Sequence, residues 1–295
     1  MVIVKIMGGL GNQMFQYAFA RALSNKGKRV LLDCSGFLSQ TNGDTIRAYE
    51  LDKFNIKIDK ASKNQIVPYY NKLQQFLYYI GRITGTKLSK IFMEKKHCYI
   101  LELLDLDNKY FIGYWQTEKY FESIRNELLN ELSFESSFNT CLLSEKNKEL
   151  RKEILSEKNA VAVHVRGGDY NTPKNKSTYG NICTKEYYQK ALEYIEKNTQ
   201  EAAYYLFTND VDFAKEIMPL NNQNIKIVDW NLGDDSWIDM YMMSICKHNI
   251  IANSSFSWWG AWLNQNIDKI VIAPAKWQNG EDIEDIVPDK WIRML

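Results

Sequence analysis

Val2-Ile3-Val4-Lys5-Ile6-Met7-Gly8-Gly9-Leu10-Gly11-Asn12-Gln13 opens the chain, and its reading decides the fold class. Val2 to Ile6 is a short apolar run of strand-forming residues, and the glycines after it make a tight turn. From Asn12 to Lys26, residues Met14, Phe15, Ala18, Phe19, Ala22 and Leu23 recur at three- and four-residue steps. That spacing lays one broad apolar face along a helix, which Gly27 stops. Arg29 to Cys34 then returns as a second strand. Strand, helix and strand in this order form a βαβ unit, which commits the sheet to parallel pairing.

The same alternation resumes downstream. Val161 to Val165, Ala203 to Thr208, Ile225 to Asp229, Ile250 to Ala252 and Ile270 to Ala273 read as strands with helical patterns between them. In the first half, an amphipathic helix is expected from Gln65 to Ile83 despite Pro68, and Lys87 to Lys96 reads as solvated surface. Tyr110 to Trp115 reads as a strand, and Thr117 as the cap of a helix running to Leu132. A polar helical run, Glu145 to Lys152, precedes the strand that begins at Ala160, so the boundary is expected near residue 150. The expectation is an N-terminal α/β domain over 1–150 and a C-terminal α/β domain over 151–295. Two such parallel, Rossmann-like domains facing across a cleft would hold ligands at the carboxyl ends of their strands.

Composition narrows the function classes. The 295 residues carry 37 Lys and Arg against 36 Asp and Glu, a formal charge of +1 that gives no basic excess for nucleic acid. The five cysteines are scattered without a C-x-x-C pair, which excludes a disulfide framework or zinc ribbon as the organising device. No apolar run approaches about 18 residues, so no membrane-spanning segment is expected. The run at the N-terminus is too short for a signal-peptide core, and a cytoplasmic location is the expectation.

Four stretches carry chemistry. The N–H groups of the Gly8 to Gln13 loop suit an anion or a polar sugar, although a plain turn is an equal reading. A dinucleotide fingerprint fails at Met14, even with Asp33 at the end of the second strand. His164-Val165-Arg166-Gly167-Gly168-Asp169-Tyr170 leaves a buried strand. Its guanidinium and glycine amides suit a pyrophosphate, and the bland alternative is a turn with Arg166 paired to a carboxylate. Asn253-Ser254-Ser255-Phe256-Ser257 precedes a helix with Trp258, Trp259 and Trp262, so it is either an anion site or an ordinary serine cap. The tryptophans themselves fit a core. Asp239, three residues after Ser236, is explained by a capping box, although a purine base would need just such a carboxylate. Two D-x-D pairs, Asp105/Asp107 and Asp210/Asp212, have the pattern that holds a divalent cation in many enzymes, and each also has a structural explanation.

Together with Gly113-Tyr114-Trp115-Gln116, these stretches resemble glycosyltransferase family 11, which contains the α-1,2-fucosyltransferases. The matches run in family order from residue 8 to about residue 263. The resemblance implies a two-domain GT-B fold, GDP-β-L-fucose as donor and inversion at the anomeric carbon. It also implies no metal cofactor and a galactose-containing glycan acceptor, as in O-antigen synthesis. By the same resemblance, Arg166 contacts the pyrophosphate, His164 lies against the nucleotide, and Asp239 binds guanine. Ser254 and Ser255 hold phosphate, with Gly9, Gly11, Asn253 and Phe256 on the donor side, and Asn12 faces the reaction centre. Gly167 replaces the family's second arginine. Asp169 is a candidate base for the acceptor hydroxyl, with Asp210 as rival, and Tyr114 and Trp115 are candidate platforms for galactose. The absence of an anchor fits a bacterial-type enzyme, peripheral to the inner membrane through its acceptor at most. Two other readings stay open on the residues. One is a metal-dependent transferase of another nucleotide sugar, using either D-x-D pair, and the other is a nucleotide- or glycan-binding protein without turnover.

Overall fold

The computed structural model describes residues 1–38, 47–95, 97–137, 143–219, 225–281 and 284–295. The chain divides into two compact units, Met1–Ser137 and Phe138–Leu295. Each unit is a parallel α/β structure, the class read from the sequence.

In the first unit, β1 (Val2–Lys5), β2 (Val30–Asp33), β3 (Ile91–Met93) and β4 (Tyr110–Ile112) form a sheet of order β2-β1-β4-β3. Every pair is parallel, and Val2 to Lys5 register against Val30 to Asp33. The helix Leu10–Asn25 buries the apolar stripe read from its spacing, with Phe15 and Phe19 fully enclosed. It ends as expected at Gly27, whose φ of 79° suits a residue without a Cβ. Asp33 is buried, accepts from the Tyr110 hydroxyl and from Ser35 N, and is thereby committed to holding the sheet.

Several local expectations are corrected here. The helix expected from Gln65 to Ile83 is two helices, Lys63–Ile66 and Lys72–Thr84. Pro68 lacks an N–H and restricts the residue before it, so the chain breaks there. Asn71 recaps the second piece by accepting from Gln74 N at 2.9 Å. Thr117 caps only a 3-10 turn, Glu118–Tyr120, and the α-helix expected to follow covers just Arg125–Glu131. The basic stretch read as surface contains β3, an edge strand too short to show a period.

In the second unit, β5 (Asn159–Val165), β6 (Ala202–Thr208), β7 (Ile225–Val228), β8 (His248–Ile250), β9 (Val271–Pro274) and β10 (Ile292–Met294) form one parallel sheet of order β10-β9-β8-β5-β6-β7. The helix Glu145–Ser156, through which the boundary expected near residue 150 would run, belongs whole to this unit. Asn147 is buried and donates to Asn231 at 2.7 Å, and Arg151 donates to the Tyr241 hydroxyl at 2.6 Å. A few buried anchors hold a helix whose outer face is charged, and the sequence showed only that charge. Trp258, Trp259 and Trp262 are core, packed on one another at ring separations of 5.0 to 6.2 Å.

Candidate active site

Both sheets have a point where the strand order reverses, and in α/β folds the loops leaving such strands open a crevice for ligands. In the second unit the reversal lies between β5 and β8, which are hydrogen-bonded neighbours. Arg166 and the Gly167-Gly168 pair follow β5, while Asn253 and Ser254 follow β8 and lead into the helix Ser255–Leu263. The topology therefore brings together two motifs that stand almost ninety positions apart.

Side chains connect them. His164 Nδ1 lies 2.8 Å from Ser257 Oγ, and its ring packs against Phe256 at 5.9 Å. Burial first, and then the positive charge of Arg166, push the His164 imidazole down to about 3, so it stays neutral and acts through hydrogen bonding. The Tyr170 hydroxyl donates to the Asn253 carbonyl at 3.1 Å, and the Arg166 guanidinium carbon stands 5.5 Å from the Tyr170 ring. Ser254 caps the helix by accepting from Phe256 N at 3.3 Å, and Ser255 and Phe256 are half-buried at its first turn. A half-buried arginine after β5 and a helix N-terminus after β8 are both groups that suit an anion.

The Arg166 loop is clamped from β6. Gly167 N donates to Asn209 Oδ1 and Gly168 N to Asp210 Oδ2, both at 3.0 Å. Asp210 Oδ1 accepts from Phe213 N at 3.1 Å, so both oxygens of this carboxylate are engaged by backbone. A Cβ at Gly167 would stand 2.6 Å from Asp210 Cβ, so the loop after β6 leaves no room for a side chain there. Asp169 lies in the turn Gly168–Asn171, and its side chain lies outside the described residues.

Asp239 starts the helix Trp237–Ile245, but the capping box read from sequence does not form, because Ser236 makes no side-chain cap bond. Its carboxylate instead accepts from Asn231 Nδ2 at 2.7 Å, and Asn231 is itself braced by Asn147. Burial pushes the Asp239 carboxyl up to about 7, against the lowering effect of that hydrogen bond. A buried carboxyl poised near neutrality beside a fixed amide is a candidate recognition group.

The first unit repeats the arrangement at its own reversal point, between β1 and β4. Here the Gly8-Gly9 loop and the Gly113 to Gln116 loop meet: Gln116 Nε2 donates to Asn12 Oδ1 at 2.7 Å, and Gln16 Nε2 to the Gly113 carbonyl at 3.1 Å. Gln13 donates to the carbonyls of Gly8 and Ala48 at 2.9 and 2.8 Å. Gly9 is the residue before the helix and Gly11 is buried within its first turn. Sequence reading left Gln13, Gln16 and Gln116 without roles. The available signal was two amides placed three residues apart on an otherwise apolar helix face.

Trp115 is corrected as an acceptor platform. It is fully buried, stacked on Phe19 at 4.5 Å, with Phe111 and Tyr120 at its edges, so it presents no face to a sugar. Its φ of 55° turns the chain inward, and the Glu94 carboxylate holds that turn by accepting from Tyr114 N at 2.6 Å. Tyr114 is half-buried, with its ring 6.3 Å from His97. Among the D-x-D residues, Asp107 accepts from Met1 N and Asn108 N, and Asp210 has the loop role given above.

Comparison with known proteins converges on one family. The sequence model of glycosyl transferase family 11 matches residues 1–294. The chain is 36% identical to the O-antigen biosynthesis glycosyltransferase WbnK of Escherichia coli, over 98% of this chain and 99% of that protein. It is 32% identical to an alpha-1,2-colitosyltransferase of Escherichia coli, over 99% and 98% respectively. A galactoside alpha-(1,2)-fucosyltransferase 2 of Oryctolagus cuniculus is 20% identical over 88% of this chain and 66% of its own length.

Proposed function

The chain belongs to glycosyl transferase family 11, and from that premise we propose that it transfers L-fucose from GDP-β-L-fucose to the 2-hydroxyl of a terminal galactoside, with inversion and without a metal, in glycan or O-antigen synthesis. The observation that carries this reading is the convergence, at the β5/β8 reversal, of the Arg166 loop with the Ser254-capped helix. Breaking the bond from fucose C1 to the phosphate oxygen leaves the electron pair on GDP. A fixed guanidinium and a helix N-terminus meet that charge. Asp239, ionised, accepts from the guanine N1 and N2 hydrogens, and His164 lies neutral against the nucleotide.

The acceptor oxygen attacks C1 from the face opposite the phosphate, and its proton passes to a base as the new bond forms. We assign that base to Asp169, since Asp210 has both oxygens bonded to backbone N–H groups. Retention of near-normal turnover by Asp169→Asn would remove the assignment. In this reading Asn12, Gly9 and Gly11 serve the donor sugar, and Tyr114 is the acceptor-side aromatic.

A second reading has one observation behind it, the similarity to a colitosyltransferase over the whole chain. Colitose is fucose without its 3-hydroxyl, so the two readings differ in one hydroxyl of the donor sugar. The test is product formation by mass spectrometry from GDP-fucose and a panel of β-galactosides, with excess chelator, beside the GDP derivative of the 3-deoxy sugar. A fucosylated galactoside formed in chelator is expected. Turnover only with the 3-deoxy donor would favour the second reading. Turnover only on adding Mn²⁺ would overturn metal independence.

A further inference from the structure

In the first unit, none of the thirteen residues of the helix Lys72–Thr84 is buried. It is nonetheless well formed, capped by Asn71 and closed by Gly85 at a φ of 76°, and Gln74 ties it to the start of β3 through Lys90 N at 2.8 Å. Its outward side is apolar. Leu73, Phe76, Tyr79 and Ile83, at steps of three and four, are 61%, 60%, 61% and 87% exposed, and Leu88 just beyond is 65% exposed. A contiguous apolar stripe of this kind on a water-facing helix has a hydration cost that a binding partner removes.

Charge indicates what that partner is. From Lys60 to Lys96 the chain carries eight Lys and Arg against Glu94 alone, although the whole chain balances to +1. Lys63, Lys72, Arg82, Lys87 and Lys95 are exposed along this segment, while the Glu94 carboxylate is turned to the backbone of Tyr114. Two copies of this chain meeting face to face here would bring like charges together. An anionic phospholipid surface answers both features, taking the apolar side chains into its acyl boundary and the ammonium and guanidinium groups among its phosphates.

We propose that the helix Lys72–Thr84 lies in the plane of an anionic bilayer and docks the first unit on the membrane surface. This inference does not depend on the identity of the donor sugar.

The test is flotation of the full chain with vesicles of phosphatidylcholine, alone and with phosphatidylglycerol, at low and high salt. Binding to the anionic vesicles that weakens with salt is expected. The double variant Phe76→Ser/Ile83→Ser should reduce the bound fraction about tenfold or more at unchanged melting temperature, because its changes are on the exposed side. Lys72→Glu/Lys87→Glu should reduce it further at low salt than at high salt. The proposal is overturned if the wild type fails to float with anionic vesicles or if both variants float as well as wild type. It is equally overturned if light scattering shows a wild-type dimer that the Phe76→Ser/Ile83→Ser variant disrupts while vesicle binding is absent.

Discussion

The two reversal points share a topology and differ in chemistry. At β1/β4, neutral amides of Asn12, Gln13, Gln16 and Gln116 tie two loops together, and the side chains face mostly backbone carbonyls. At β5/β8, an arginine, a neutral buried histidine and a serine-capped helix end stand at the carboxyl ends of neighbouring strands. An amide lattice shapes a loop without concentrating charge, which suits a polyhydroxyl ligand. A guanidinium beside a helix N-terminus concentrates positive potential, which suits a pyrophosphate. The two sheets share an architecture and differ in the loops after their strands, and the proposed division of labour rests on that difference.

The largest expected effect is on the aromatic pair after β4. Trp115→Ala should destabilise the chain by about 3–5 kcal/mol, the cost of emptying a buried aromatic site, while Tyr114→Ala should leave the melting temperature nearly unchanged and raise only the acceptor KM. Denaturant unfolding of both variants measures this, and equal stabilities would break the reading of Trp115 as core.

Next comes the charge itself. Arg166→Ala should lower kcat by at least about 10²-fold with an unchanged unfolding transition, in keeping with the loss of a preorganised donor to a leaving group. Steady-state kinetics with GDP-fucose check it, and a loss confined to KM would assign Arg166 to ground-state binding alone.

Smaller effects sharpen the loop geometry. Gly167→Ala should cost about 1–3 kcal/mol of stability through its clash with Asp210, and pairing it with Asp210→Gly should return part of that loss. If Gly167→Ala is neutral, the β5 loop is free of its β6 clamp.

The smallest is a pH effect at Asp239. Burial raises this carboxyl to about 7, so its ionised fraction, and with it acceptance from guanine, grows as pH rises through that value. The ratio of wild-type to Asp239→Asn affinity for GDP should therefore increase from about pH 6 to about pH 8, because the asparagine does not titrate. A ratio independent of pH would detach Asp239 from the nucleotide.

Much of this is legible in the sequence. The βαβ start was readable because Met14, Phe15, Ala18, Phe19 and Leu23 repeat with the helical period, and the second sheet because its central strands are unbroken apolar runs. The motif residues His164, Arg166, Asn253 and Ser254 were singled out by sequence, and the parallel order of β5 and β8 explains why they meet. What sequence hid were roles fixed by long-range partners. Asp239 looked like half of a capping box until Asn231 took its carboxylate. Trp115 looked like the end of a strand until its positive φ turned it under Phe19. Gln13 and Gln16 showed no purpose because their acceptors, Ala48 and Gly113, come from distant loops. The helix break at Pro68 was a signal present in the sequence and outweighed in the reading by apolar periodicity on both sides.

Calorimetric titration of GDP into the full chain with excess chelator, for wild type, Arg166→Ala and Asn12→Ala, tests the division between the two reversal points most directly. The account predicts metal-free GDP binding that Arg166→Ala abolishes and Asn12→Ala leaves nearly intact. Binding that requires added Mn²⁺, or that Asn12→Ala weakens as much as Arg166→Ala does, would contradict it.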